Sequence, residues 1–470
     1  MTSILWFRRD LRLSDNRALA AACAAGPVVP VFIRDARVDA LGAAAKWRLE
    51  VGLEKLAAAL EQRGSRLILR AGPALEVLDG LVAETGARAV HWHRLYDPQA
   101  IDRDKKIKTA LKAKDVSAES HPGHLLNEPW TVETGSGSFY KVYTPFWKAV
   151  RDRDPGASLS EPGQIAAPER WPDREALSDW QLSRAMRRGR DIVAGHHAPG
   201  EAAAQDRLAG FVEAGLERYG EGRNDVAGDG TSRLSDYLAL GELSPRQAWE
   251  AARRRVEEGS KGAEGFLRQL IWRDFAYHLM YHTPHLLSDN WRDGWDEFGW
   301  QTDPGSDDVL AWKQGRTGVD FVDAAMREMY VTGRMHNRTR MIVASYLTKH
   351  MLVHWKVGLD WFADCLTDWD PANNAMGWQW VAGSGPDAAP YFRVFNPDTQ
   401  AEKFDPDGVY RRRWLAEGQA SPPRTALQFF EAVPERWGLA PDDPRPAPIV
   451  SLAEGRTRAL AAYERLKSGQ

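Results

Sequence analysis

Apolar residues in the first third of the chain fall into short runs. Residues 3–7, 27–33, 66–69 and 89–92 are dense in Ile, Val, Leu, Phe and Trp, as expected of strands covered on both faces. Between them, residues 46–62, 75–84 and 101–112 carry Leu, Ala or Ile at three- and four-residue spacing, which predicts helices. Strand–helix alternation predicts a doubly wound parallel sheet over residues 1–128, with ligand sites at the carboxyl ends of its strands. From 129 to 202 the periodicity weakens. A Gly135-Ser136-Gly137-Ser138 patch and prolines at 145, 155, 162, 168, 172 and 199 predict a long linker with short helices. From 203 to 470 strand signals largely stop. Helical spacing recurs over 203–216, 233–240, 245–257, 265–281, 318–330, 337–352, 361–366 and 452–466. The predicted fold class is α/β plus all-α multidomain: an N-terminal Rossmann-like domain, a linker and a C-terminal all-helical domain.

Composition narrows this picture. With 470 residues, two or three domains are expected. A net charge of -3 does not announce a nucleic-acid partner, so any such site must be a local basic patch. Cys23 and Cys365 offer neither metal spacing nor a disulfide framework, which fits a reducing compartment. No apolar signal core and no membrane-length run is present, so a cytoplasmic protein without a membrane partner is expected. Of the 20 tryptophans, ten lie between Trp272 and Trp380. Core filling alone does not require that clustering.

Several stretches carry candidate chemistry. No Gly-x-Gly-x-x-Gly follows the first strand; Trp6-Phe7-Arg8-Arg9-Asp10-Leu11-Arg12 stands there, which disfavours a Rossmann dehydrogenase. Its arginines suit either a solvated loop paired with Asp10 and Asp15 or a ligand. Arg187, Arg188 and Arg190 read as a solvated charge run. Gly230-Thr231-Ser232-Arg233-Leu234-Ser235 reads as an anion cradle or, more simply, as a hydroxyl helix cap. Gln269 and Trp272 share a helical face, where an amide beside an indole suits a base edge. Asn337 and Met341 share another, with Arg338 and Arg340 turned elsewhere; His336 reads as a hydrogen-bonded core histidine. The stretch from Asp368 to Trp380 holds Asp368, Asp370, Asn373, Asn374 and Trp378-Gln379-Trp380, a costly set to bury unless a planar ligand with polar edges meets it. A capped loop running into a helix is the plainer alternative.

Taken together with Pro390-Tyr391-Phe392-Arg393 and Phe395-Asn396-Pro397, these motifs resemble those of the DNA photolyase/cryptochrome family, nearest to bacterial cyclobutane pyrimidine dimer photolyases. The resemblance covers nearly the whole chain. It implies an N-terminal antenna domain and a helical FAD-binding domain that repairs ultraviolet-damaged DNA with blue light, acting as a monomer. By motif position, Tyr219, Thr231, Ser232, Leu234 and Ser235 would hold the FAD diphosphate. Arg340, Asp368 and Asp370 would fix the flavin and its ribityl or adenine side, and Asn374 would sit at the reactive flavin nitrogen. Gln269, Trp272, Asn337, Arg338, Met341 and Trp380 would line the lesion pocket, with Arg273, Arg338 and Arg393 at the DNA backbone. Trp378, Trp355 and Trp300 would relay electrons to the flavin. A second, antenna chromophore (folate, deazaflavin or flavin) is expected, with Asn127 and Glu128 as contacts or merely a turn. No metal is expected: no His or Cys partners the two aspartates at ligand spacing. Two residues depart from the pattern. Gln269 stands where dimer photolyases carry Glu, which opens a (6-4) or dual-specificity photolyase, or a cryptochrome-like photoreceptor, as alternatives. Arg334 stands where Trp is common.

Overall fold

Five strands form one parallel sheet in the order β3-β2-β1-β4-β5: β1 Ser3–Phe7, β2 Val28–Arg34, β3 Ile68–Ala71, β4 Ala89–His93 and β5 Ser117–His121. The computed structural model describes residues 1–387 and 392–469. All five residues of β1 are buried, and they alternate between two cores. Leu5 and Phe7 pack with Leu19, Leu49 and Leu53; Ile4 and Trp6 pack with Leu78, Val90 and Ile107. Covering helices on both sides explain the unbroken apolar runs of the inner strands. The edge strand β5 was not expected. Its Ser-Ala-Glu-Ser-His sequence is exposed or half-buried throughout and carries no apolar signature. Strand order reverses between β1 and β4, the switch point of a doubly wound sheet.

The linker is less loose than its composition suggests. Tyr143, Phe146, Trp147 and Val150 form the buried face of the Tyr143–Val150 helix and join the core that holds Leu270 and Phe275. Downstream, the chain turns back along the sheet: Asp15 and Val28 donate backbone hydrogen bonds to Leu159 and Ala166.

The helical region departs from its predicted bounds for local reasons. The 203–216 segment is Glu201–Gly210 followed by a π turn, and 337–352 is Asn337–Ser345 followed by another. The 361–366 segment begins earlier, at Trp355, because the His354 ring accepts the Lys356 amide and caps it. The 233–240 segment begins at Ser235, because Arg233 has φ +53°, outside any right-handed helix.

The loop after β1 clamps the two regions together, and of its two readings the solvated loop is corrected. Arg8, Asp10, Arg12 and Asp15 are all buried. Arg8 pairs with Asp104 at 2.9 Å, and Asp10 meets His93 at 2.9 Å. Arg12 donates to the carbonyls of Gly241, Asp15 and Gly123. Arg9 donates to the carbonyls of Ala239 and Trp369. Across the seam, Arg246 pairs with Asp15 at 2.9 Å and Arg48 pairs with Glu242. Exposed ion pairs contribute little, but removing one partner of a buried pair strands a charge.

Candidate functional site

Three helices bring most of the candidate residues into one region. Ala263–His282 carries Gln269 and Trp272, Asn337–Ser345 carries Asn337 and Met341, and both pack on Pro371–Ala382, which carries Asn374, Trp378 and Trp380. Asp370 caps the last of these by accepting the Asn373 amide at 2.9 Å, so the capped-loop reading of this stretch holds as far as it goes. Asn374 is buried, and its Nδ2 donates to the Asp370 carbonyl at 2.9 Å. Among the described residues no donor reaches its Oδ1.

The 230–235 loop is not a hydroxyl cap. No side chain caps the helix at Ser235; the Ser232 hydroxyl accepts the Leu234 amide at 3.4 Å. Arg207 takes the carbonyls of Thr231 and Ser232 at 2.9 and 2.7 Å and so fixes the loop from behind. Among the described residues the amides of Thr231, Ser232 and Arg233 donate to nothing. Gly230 lies so close to Gly222 that an added Cβ would sit 2.2 Å from the Gly222 carbonyl oxygen. Amides left without partners beside two hydroxyls suit a diphosphate, which they would bind as a nest of donors. Leu234 and Tyr219 are buried beneath, Tyr219 edge-on to Phe266 at 5.7 Å, while Ser235 is exposed.

The two aspartates differ. Asp368 is buried and takes Arg340 at 2.7 Å, with Arg340 also donating to the Met335 carbonyl. Asp370 faces the interdomain seam: besides its cap it accepts the Tyr277 hydroxyl at 2.8 Å, with Arg9 at 3.7 Å. Burial would lift its carboxyl, but Arg9, Arg273 and the Asn373 amide outweigh burial and hold it below the usual range. Its oxygens are engaged by protein groups: Tyr277, Arg9 and the Asn373 amide.

Trp272 is half-buried and stacks on Tyr143 at 3.7 Å and 7°. Trp380 is half-buried and donates to the Asp387 carbonyl. Gln269 and Met341 are half-buried, and Asn337 is exposed at the first turn of its helix. His336 is half-buried and accepts the Arg338 amide through Nδ1 at 3.1 Å. Burial, with Arg338 and Arg340 nearby, lowers it to about 4, so it is neutral. Arg273, expected at the DNA backbone, is corrected: it is buried, donates to the His124 carbonyl and ring, and lies over Tyr277 at 5.3 Å. Arg338 reaches Asn224 and lies over Phe404 at 4.5 Å. Arg393 lines a cavity with Trp380, Lys349 and Arg292; the motif residues Pro390 and Tyr391 lie outside the described residues. Lys349 was missed by sequence reasoning. Burial, aided by Arg393, lowers its ammonium to about 7. Tyr143 and Arg207 were also missed; an aromatic in a linker and a lone arginine carry no local signal.

Asn127 and Glu128 are engaged internally. Asn127 donates to Asp274 through its amide at 2.8 Å, and Glu128 accepts the Tyr96 hydroxyl at 2.9 Å. The turn reading fits them better than a chromophore contact. Arg334 is explained: its guanidinium pairs with buried Asp236, which also accepts the Thr367 hydroxyl at 2.7 Å.

The three tryptophans form a graded series. Trp378 and Trp355 are buried and Trp300 is half-buried. Gly358, on the helix that begins at Trp355, lets the Trp378 ring lie on its backbone, where a Cβ would sit 2.1 Å from the ring. The His354 ring lies between Trp355 at 5.4 Å and Trp300 at 5.2 Å.

Comparison with known proteins decides the family. Residues 3–164 match the DNA photolyase family and residues 266–465 the FAD binding domain of DNA photolyase. A deoxyribodipyrimidine photo-lyase of Agrobacterium fabrum is 44% identical over 99% of this chain and 98% of its own length. The chain belongs to the DNA photolyase family. It is therefore a flavoprotein enzyme of the lyase class, with FAD as cofactor. The solved structure of a bacterial class III photolyase from Agrobacterium tumefaciens matches with a TM-score of 0.91, 43% identity, and 99% and 98% of the two chains covered. Cryptochromes are also relatives: Cryptochrome-2 of Arabidopsis thaliana is 33% identical over 100% of this chain and 79% of its own. No helix among the described residues is long and apolar enough to cross a membrane.

Proposed function

We propose that this photolyase repairs cyclobutane pyrimidine dimers that are turned out of the duplex into the region between Gln269, Trp272, Asn337, Met341 and Trp380. The packing of the helices that carry these residues on Pro371–Ala382 is the observation that supports this reading. When bound, reduced FAD supplies the light-driven electron that opens the dimer. Turning the lesion out of the stack is the strategy of photolyases among other base-flipping enzymes, and it costs least for a damaged base. Indole faces of Trp272 and Trp380 stack on the extruded bases, and the Gln269 and Asn337 amides meet their edges. Trp272 is pre-positioned by its stack on Tyr143, so little side-chain freedom is lost on binding.

The 231–233 amides and the hydroxyls of Thr231 and Ser232 hold the diphosphate, with Ser235 at its rim and Leu234 and Tyr219 as its floor. Arg340 and Asp368 form a paired edge of the cofactor site. Asn374 presents an amide that can donate or accept, and so accommodates the flavin in either protonation state. Trp378, Trp355 and Trp300 pass electrons inward from the surface. Trp378→Phe is therefore expected to slow photoreduction while repair by pre-reduced enzyme stays near wild type; loss of both would remove the relay assignment. Arg338 and Arg393 flank the site toward the DNA backbone. The site acts in the cytoplasm on DNA, as a monomer, with a second chromophore in the N-terminal domain.

Gln269 favours one second reading, repair of (6-4) photoproducts in addition. A carboxylate at this position only accepts, whereas the amide also donates and so tolerates a changed base edge. The test is blue-light repair, by reduced enzyme, of two oligonucleotides carrying one cyclobutane dimer or one (6-4) photoproduct. Repair of the first alone supports the proposal. Repair of both supports the broader reading, and repair of neither by FAD-loaded protein points to a photoreceptor.

A further inference from the structure

We propose that His91, His121 and Glu119 form a binding site for one divalent transition-metal ion of the zinc class, at the β4–β5 edge of the sheet. Glu119 and His121 lie two apart on one strand, but His91 is distant from both in sequence. The parallel register brings them together, with His91 opposite Glu119 and His93 opposite His121. Side chains at these positions share one face of the sheet, because strand residues two apart point the same way.

The donor atoms lie within 4.8 Å of one another. His91 Nδ1 is 3.1 Å from His121 Nε2 and 3.9 Å from Glu119 Oε2. A tetrahedral zinc ion with bonds of about 2.0–2.1 Å sets its ligands ~3.3 Å apart. The histidine pair already matches that spacing. Glu119 closes the difference readily, since its side chain is 55% exposed. The Ser117 hydroxyl donates to Glu119 Oε1 at 3.0 Å and leaves Oε2 directed at His91. Such a second hydrogen bond is what orients ligating carboxylates.

His91 is 4% exposed, and among the described residues its Nε2 has no partner. Among the described residues the contact with His121 is thus the one hydrogen bond of that ring. Two imidazoles and one carboxylate suit zinc or its neighbours rather than magnesium or calcium, which prefer all-oxygen sets. The exposed side of Glu119 leaves the fourth position to water. His121 ends β5 and His91 sits in the middle of β4, so a bound ion would pin the polar edge strand β5 to β4.

The plain alternative is a histidine–histidine hydrogen bond beside a solvated glutamate. Calorimetric titration of zinc sulfate into full-length, FAD-loaded protein stripped with EDTA separates the two. One zinc ion per chain is expected, with affinity at least about tenfold weaker in Glu119→Gln and in His121→Asn. Zinc should raise the melting temperature of the wild type and not of His121→Asn. FAD absorbance and photorepair should match wild type in both variants, since neither residue touches that site, and magnesium sulfate should give no such binding. No zinc uptake by the wild type, unchanged uptake in both variants, or equal uptake of magnesium would overturn the proposal.

Discussion

The interdomain seam buries its polar side chains, whereas the 230–235 loop of the helical domain leaves its own half-buried or exposed, and the two sets are used in different ways. At the seam almost every charge is answered by a protein partner: Arg48 by Glu242, Arg246 by Asp15, Arg12 by three carbonyls, Asp274 by the amides of Leu126 and Asn127. Around 230–235 and Asn374 donors and acceptors remain without protein partners among the described residues. Buried polar groups are ordinarily satisfied. Charges answered across the seam therefore read as architecture, and the half-exposed amides and hydroxyls at 230–235 as donors left open to a ligand.

The contrast breaks most sharply at Arg48. Its side chain is 1% exposed and Glu242 is 0% exposed. Arg48→Ala would leave the Glu242 carboxylate buried without its cation, at a cost of about 3–5 kcal/mol. Burial already raises this carboxyl and Arg48 opposes it, so the variant should also hold a proton to higher pH than the wild type. Urea denaturation measures the loss. The apolar double variant Arg48→Met/Glu242→Leu should recover most of it, because both charges then vanish. Equal losses in the two variants would mean that packing, not charge, holds the seam.

A second effect is read in pH. Burial works against the charged form of Asp236, but Arg334, His197 and Arg48 outweigh it and hold the carboxyl at about 2. A depressed carboxylate stabilises the fold above its unfolded value near 4 and loses that contribution as pH falls toward 2. The contribution is on the order of 2 kcal/mol. Arg334→Leu should flatten the acid limb of the stability curve and lower stability at pH 7; an unchanged acid limb would show that Arg334 does not hold the proton off.

On the cofactor side the same kind of deletion should act on binding. Arg207 lies behind the 231–232 carbonyls and is itself partly exposed. Arg207→Ala should leave the unfolding free energy from urea curves within about 0.5 kcal/mol of wild type. It should weaken FAD retention about tenfold, the equivalent of roughly 1.4 kcal/mol. FAD content after dialysis, set beside the urea curve, checks both halves. A matching loss of stability would place Arg207 with the seam residues instead.

How legible each region was follows from the same difference. Runs such as Ser3–Phe7 and the helical spacing of Ala43–Gln62 are written locally, and the domain order followed from them. Strand β5 was missed because an exposed polar edge has no apolar period. The 230–235 loop and the Asp368–Trp380 stretch stood out because hydroxyls, carboxylates and amides crowd there against local economy, and the family motifs lie there. Arg8, Arg12 and Arg273 were misplaced because pairing across a seam is a property of two distant segments. Nothing in either segment alone distinguishes a buried arginine from a solvated one.

Gln269 offers the smallest and sharpest comparison. It sits one turn from Trp272 on the Ala263–His282 helix, half-buried, with no charge to satisfy. Gln269→Glu keeps shape and removes a donor. At pH 7 the carboxylate accepts a charge-assisted hydrogen bond, stronger than the amide's. Partial burial of the new charge offsets part of that gain. The expected outcome is dimer binding a few-fold tighter, within about 1 kcal/mol, with no change in stability or FAD content. Any repair of a (6-4) photoproduct should fall, because a base edge that needs a donor no longer finds one. Gel-shift titration of the two damaged oligonucleotides against wild type and variant measures both. Parallel shifts in the two affinities would mean that position 269 sets the strength of lesion binding but not its choice.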